Sequence, residues 1–145
     1  MLIPTLTGTH KSAMVDALDK LFQFHQNALE VRAFRQQLLA SNIANADTPN
    51  YKAVDIDFAK ALRSATGNLA LARTDAGHLD AAGGSPVAGV KPMYRSAAQP
   101  SIDGNTVDTN IEQAQFSENA LQYMSTLQFM NGKIQSTLLA LRGGN

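Results

Sequence analysis

Leu39-Ala-Ser-Asn-Ile-Ala-Asn-Ala-Asp-Thr-Pro-Asn-Tyr-Lys-Ala-Val-Asp-Ile-Asp57 is the stretch where one long helical pattern stops. Asn42, Asn45 and Asp47 carry short polar side chains that bond backbone groups and favour turns. Pro49 biases Thr48 away from helix. Asn50 tolerates the left-handed geometry that a tight corner asks for. Beyond the corner, Tyr51–Phe58 alternates loosely, as a short strand or extended arm does, and Ala59–Ser64 has room for a helical turn.

Upstream, the pattern is helical from about Ser12. Leu18, Leu21, Phe24, Ala28, Val31 and Leu38 fall on one broad face, with Asp16, Asp19, Gln23, Glu30 and Gln37 on the other. His25, Arg32 and Gln36 interrupt the apolar stripe. They are read either as long side chains snorkelling at a helix edge or as polar seam residues setting register against neighbouring subunits. Phe34 falls on the polar face, where an aromatic is either an isolated exposed residue or an assembly contact. Residues 1–11 contain Pro4 and Gly8, read as flexible, and lack an apolar run of signal-peptide length.

Downstream, residues 65–107 hold six of the ten glycines and three of the five prolines, and their apolar residues are too scattered for an independent core. An extended segment is expected, leaning on the helices or on other subunits. Asp103-Gly-Asn is a turn signal. Thr109-Asn-Ile-Glu112 reads as a capping box. Phe116, Ala120, Tyr123, Leu127, Met130, Ile134 and Leu141 then repeat at spacings of four and three, with Thr137 breaking the series. That is a heptad seam, and Gly143-Gly144 ends it.

The expected fold is therefore mainly α. Long N- and C-terminal helices pair as a coiled coil around a mostly irregular or extended middle, with short β structure possible. The divisions are 1–11, a helix over 12–46, a corner and arm over 47–64, an extended segment over 65–107 and a helix over 108–145. The two helices form one domain. An isolated pair should be marginal, because a two-helix contact buries its large side chains only in part. The remaining apolar surface needs other helices.

Composition removes most alternatives. The 145 residues hold 12 Lys+Arg against 12 Asp+Glu, interspersed and without a basic stripe, so nucleic acid is a poor partner. Cysteine is absent, which excludes disulfides and thiol chemistry. Asp55-x-Asp57 lacks the further ligands a cation needs. Asp103–Asp108 fails as a calcium loop, with Asp at the sixth position and Ala114 at the twelfth. The three histidines have no ligand spacing, and no phosphate cradle or nucleophile–base pair is present. No enzyme activity, cofactor, metal or small-molecule substrate is expected.

The corner Asn42-Ile-Ala-Asn45-Ala-Asp-Thr48-Pro49-Asn50-Tyr51 resembles the signature of the flagellar rod, hook and hook-associated axial proteins. Asp47–Ala53 with Asp55-Ile-Asp-Phe58, and Asp103–Asp108 with Glu118–Tyr123, extend the likeness toward the proximal rod subunits. The resemblance implies a structural subunit of the basal-body rod, with Asn42, Asn45, Thr48, Pro49, Asn50 and Tyr51 as the assembly motif. It further implies helical assembly through the terminal helices, and torque transmission. The implied partners are copies of itself, other rod proteins, the basal-body adaptor, the membrane-ring protein and the flagellar type III export gate. Export would proceed without a cleaved signal. Phe34–Leu38 and Phe58–Leu62 have the Phe-x-x-x-apolar spacing suggested for export substrates, a spacing that ordinary helix packing also produces. The competing class is a soluble helical adaptor or export chaperone.

Overall fold

A computed structural model describes the backbone of residues 7–71, 87, 89–97 and 101–143. Side chains are described from residue 15 onward and, within the second helix, as far as residue 67. The elements run α1 (Thr7–Ala44), β1 (Val54–Asp55), α2 (Phe58–Leu71), β2 (Met93–Tyr94) and α3 (Thr109–Leu141). The chain is mostly helical, and its two long helices pack on each other. At 1.5 Å per residue the 38 residues of α1 span roughly 57 Å.

The α1–α3 pair is antiparallel. Near the corner Asn42 meets Glu112, further along Arg32 meets Gln122, and beyond that the His25 ring lies 4.7 Å from Phe129. β1 and β2 form a two-stranded antiparallel ribbon, with Val54 opposite Tyr94 and Asp55 opposite Met93.

α1 has two working faces. Val31, Phe34 and Leu38 share one helical stripe and pack with Ile56, Ala61, Ala65, Val87 and Val90. Arg32, Arg35, Gln36 and Asn42 turn toward α3 or the ribbon. This corrects the reading of Phe34 as a residue of the polar face, since its side chain is 5% exposed and belongs to the core. A helix with one partner has one apolar stripe; α1 has two partners, so a residue off the first stripe lies on the second. Arg32 and Gln36 likewise bond within the chain. Arg32 reaches Gln122, and Asn119 donates to the Arg32 carbonyl and to Gln36 Oε1.

Three boundaries differ from expectation. α1 begins at Thr7, so residues 7–11 are helical; residues 1–6 lie outside the described set. α2 runs to Leu71, well past the single turn expected at Ala59–Ser64. It starts where Asp57 Oδ1 accepts from the Lys60 N–H at 3.0 Å, an N-cap. α3 opens on Asp108 rather than on a capping box. Asp108 Oδ1 accepts from the N–H groups of Asn110 and Ile111, while Glu112 turns inward and is 1% exposed. At the other end Gly143 takes φ 67°, the left-handed C′ conformation that closes many helices. Gly132 has no neighbour within 4 Å of an added Cβ, so close packing inside this chain does not explain it. Among the described residues no helix is long and apolar enough to cross a membrane.

Candidate assembly corner and axial helix pair

The last turn of α1 unwinds through short backbone bonds. The Asn45 N–H reaches both Ser41 O and Asn42 O at 3.1 Å, Ala46 N–H donates to Ile43 O and Thr48 N–H to Asn45 O. Thr48 Oγ1 donates to Asn45 Oδ1 at 3.2 Å, and Asn45 Nδ2 donates back to Ser41 O at 2.8 Å. Pro49 and Asn50 form the exposed tip. Asn50 takes φ 61°, the one positive-φ residue other than glycine among those described. Its N–H donates to Asp103 O at 2.9 Å, which brings in the 101–107 loop.

That loop laces the corner shut. Asn105 is 5% exposed, and its Nδ2 lies within bonding distance of Asn45 O (3.1 Å), Ala46 O (2.7 Å) and Thr48 O (2.9 Å). These carbonyls follow α1, where helix carbonyls run out of intrahelical donors. Thr106 Oγ1 accepts from Ala53 N–H and the Thr106 N–H donates to Tyr51 O. Lys52 Nζ donates to Gly104 O at 2.6 Å. Ser101 and the N–H of Asn105 hold the Asp103 carboxyl below its usual range.

Asn42 ties three elements together. Its Nδ2 donates to Val54 O (2.9 Å) and Glu112 Oε2 (3.0 Å). Its Oδ1 accepts from the Val54 N–H (3.0 Å) and the Tyr51 hydroxyl (3.3 Å). Next to it lies a cluster of two arginines and two carboxylates. Arg35 grips Asp55 with Nε and Nη2, both at 2.9 Å, and Arg95 contacts Asp55 and Glu112. Burial works against the Asp55 charge, but Arg35, the Ile56 N–H and Arg95 outweigh it and hold the carboxyl below its usual range. The bond to Asp55 raises Arg35 in turn, whereas burial followed by repulsion from Arg35 lowers Arg32. Asp55 is thus committed to arginines and Asp57 to a helix cap. Among the described residues no group of acidic or histidine side chains is arranged to hold a metal.

The seam residues are placed unevenly. Ala28 and Val31 are buried, Val31 in the α2-side core that Leu38 also touches. Leu18 and Leu21 are half-buried, and Phe24 is exposed beside Phe58 and Leu62. The α3 side chains that hydrogen-bond α1 are Glu112, Gln115, Asn119 and Gln122. Phe116, Ala120, Tyr123 and Met130 flank that polar line and are half-buried; Leu127, Ile134 and Leu141 are exposed. The intrachain interface is therefore more polar than the heptad implied, and the apolar seam lies to one side of it.

A family model described as "Flagella basal body rod protein" matches residues 22–52, the second half of α1 and the corner. The chain is similar to the flagellar basal body rod protein FlgB of Escherichia coli K12, with 45% identity over 139 residues covering 91% of this chain and all of that protein. The chain belongs to the FlgB family of flagellar basal body rod proteins. It is also similar to FlgB of Cereibacter sphaeroides ATCC 17029 (46% identity, 82% of this chain and 91% of the relative). FlgB of Yersinia enterocolitica shares 41% identity over 90% of this chain and all of that protein. As a FlgB-family member, this chain is a structural subunit of the flagellar basal body rod.

Sequence reasoning missed the roles of Arg35, Arg95, Asn105 and Asn119, and assigned Glu112 to a helix cap in place of its contacts with Asn42 and Arg95. Asn105 carried a signal, as the third residue of the Asp-Gly-Asn turn. Arg95 carried none, because its partners lie in two distant segments, the β1 arm and α3.

Proposed function

We propose that the antiparallel α1–α3 pair is the element through which this subunit assembles helically in the rod and transmits torque. Asn42, Asn45, Thr48, Pro49, Asn50 and Tyr51 hold the corner that aims it. The neighbours in this reading are copies of the chain, other rod proteins, the basal-body adaptor and the membrane-ring protein. Delivery is through the flagellar type III export gate, without a cleaved signal.

One observation carries the reading. Among the described residues, the buried side chains of α1 and α3 all lie in the corner-proximal halves, from Asn27 to Asn42 and at Glu112 and Asn119. Between residues 15 and 26, and between 120 and 143, none is buried. Leu127, Phe129, Ile134, Leu138 and Leu141 are between 38% and 77% exposed. An apolar surface of this extent along two helices marks an interaction site, and helices this poorly buried order on binding.

Amide hydrogen exchange tests it, first on the purified chain and then after mixing with candidate rod proteins. Residues 7–26 and 127–143 are expected to exchange freely alone and to become protected in a large assembly. Ends already protected in a small stable species would reject the reading in favour of a soluble helical adaptor or chaperone. Pro49→Ala is expected to impair swimming and rod assembly more than soluble expression.

A further inference from the structure

Glu112 is the one buried carboxylate of α3, and its cationic partner comes from the middle of the chain. Arg95 follows β2, and its N–H is fixed to Ala53 O at 2.8 Å. Its Nη1 donates to Glu112 Oε1; its Nη2 reaches Asp55 Oδ2 at 2.5 Å and Gln115 Oε1 at 3.0 Å. The two carboxylates are not equally provided for. Asp55 has both Arg35 and Arg95. Glu112 has an ion pair with Arg95 and a hydrogen bond from the neutral amide of Asn42.

We propose that Arg95 is a positioning residue that permits α3 to dock on α1. The β2 segment must be seated on β1 before Glu112 can be buried, so the middle segment sets the order in which the axial pair forms. With Arg95 withdrawn, a nearly inaccessible carboxylate loses its one ion pair and keeps the hydrogen bond from Asn42 and a longer-range attraction from Arg35, and a buried charge without a contacting counter-ion is strongly destabilising. The first three turns of α3 contribute little compensating apolar burial, because their buried residues are Glu112 and Asn119. The charge balance at Glu112 therefore decides whether those turns dock. Asp55 keeps Arg35, so the α1–β1 contact survives. Resting on the reading that the α1–α3 pair carries assembly, the device means that a chain with an unseated middle presents no paired axial helices to its neighbours.

Hydrogen exchange on the unassembled full chain tests this without any rod partner, so its outcome is separate from that of the assembly experiment. Arg95→Gln is expected to lower protection over residues 109–122 by about tenfold or more, while amides of Ile56, Ala61 and Ala65 change by less than about threefold. Adding Glu112→Gln removes the stranded charge and is expected to restore most of the lost protection. A uniform loss across α1, α2 and α3 in Arg95→Gln would overturn the proposal, as would unchanged α3 protection or a double variant no better than the single. If Arg95→Gln does not fold, the double variant still decides: its folding supports the charge argument and its failure defeats it.

Discussion

Asn42 of α1 and Glu112 of α3 stand 70 positions apart in the chain and 3.0 Å apart in the fold. Both side chains are almost wholly inaccessible. Asn42 uses both its amide group and its carbonyl there, so a residue of the last turn of α1 is also the one joining it to β1 and α3. A corner built this way cannot bend independently of the helix pair.

Asn42→Ala leaves the Val54 backbone groups and Glu112 without their partner. Buried groups left unsatisfied cost about 1–3 kcal/mol each, with partial relief from water, so a loss of about 2–4 kcal/mol is expected in urea unfolding. Asn42→Asp is expected to be worse at neutral pH, because it sets a second carboxylate against Glu112 and removes the donor. It should recover relative to Asn42→Ala as the pH is lowered. Equal stability of the two variants at pH 7 would contradict this account of the site.

Gly104 and Asn50 form a second coupled pair. Gly104 takes φ 75°, and a Cβ there would lie 2.7 Å from Asn50 Oδ1. Gly104→Ala is expected to cost about 1–3 kcal/mol through strain and that clash. Asn50→Gly removes the obstructing atom and suits φ 61°, so it should change stability by less than about 1 kcal/mol. The double variant should then be more stable than the two separate effects add up to. Strict additivity would mean that the side chain of Asn50 swings away freely.

The sequence shows the long helices and the corner because their signals are local: apolar residues at helical spacing, then Asn42, Asn45, Pro49 and Asn50 close together. The left-handed conformation of Asn50 is legible for the same reason. Phe34 is misread because periodicity reveals a face without saying how many partners a helix has. Glu112 is misread because a Thr-x-x-Glu string resembles a capping box until Arg95 and Asn42 draw its side chain inward. Arg95 is silent in the sequence, since its role depends on a ribbon pairing of two residues per strand. The line of Glu112, Gln115, Asn119 and Gln122 is polar, so a hydrophobic repeat cannot find it and settles on the flanking seam instead.

Asp55 gives the fold an acid limit. Its carboxyl is held below the usual aspartate value of about 4 by Arg35, the Ile56 N–H and Arg95, against the opposing effect of burial. A depressed native value stabilises the fold above the unfolded pKa, and that stability is lost as pH falls through the native value. Asp55→Asn is therefore expected to be less stable than the parent at pH 7, with the gap closing progressively below about pH 4. Urea midpoints between pH 2.5 and 7 measure this; a gap that stays constant would remove Asp55 as the source.

Ile134 and Leu138 separate folding from assembly. They are 42% and 47% exposed and lie on the half of α3 where no side chain is buried. Ile134→Ser with Leu138→Ser removes apolar surface that contributes little to the monomer, so unfolding should shift by less than about 1 kcal/mol. In the assembly each side chain, if fully covered, contributes roughly 1.5–3 kcal/mol per contact. That loss is repeated in every subunit of a polymer. The double variant is expected to be exported and folded yet to leave cells non-motile, and to stay small by sedimentation when mixed with rod proteins that enlarge the parent. The converse pattern, an unfolded monomer with intact assembly of whatever folds, would mean that these residues pack within the chain. The seam on α3 would then not be the surface that neighbouring subunits cover.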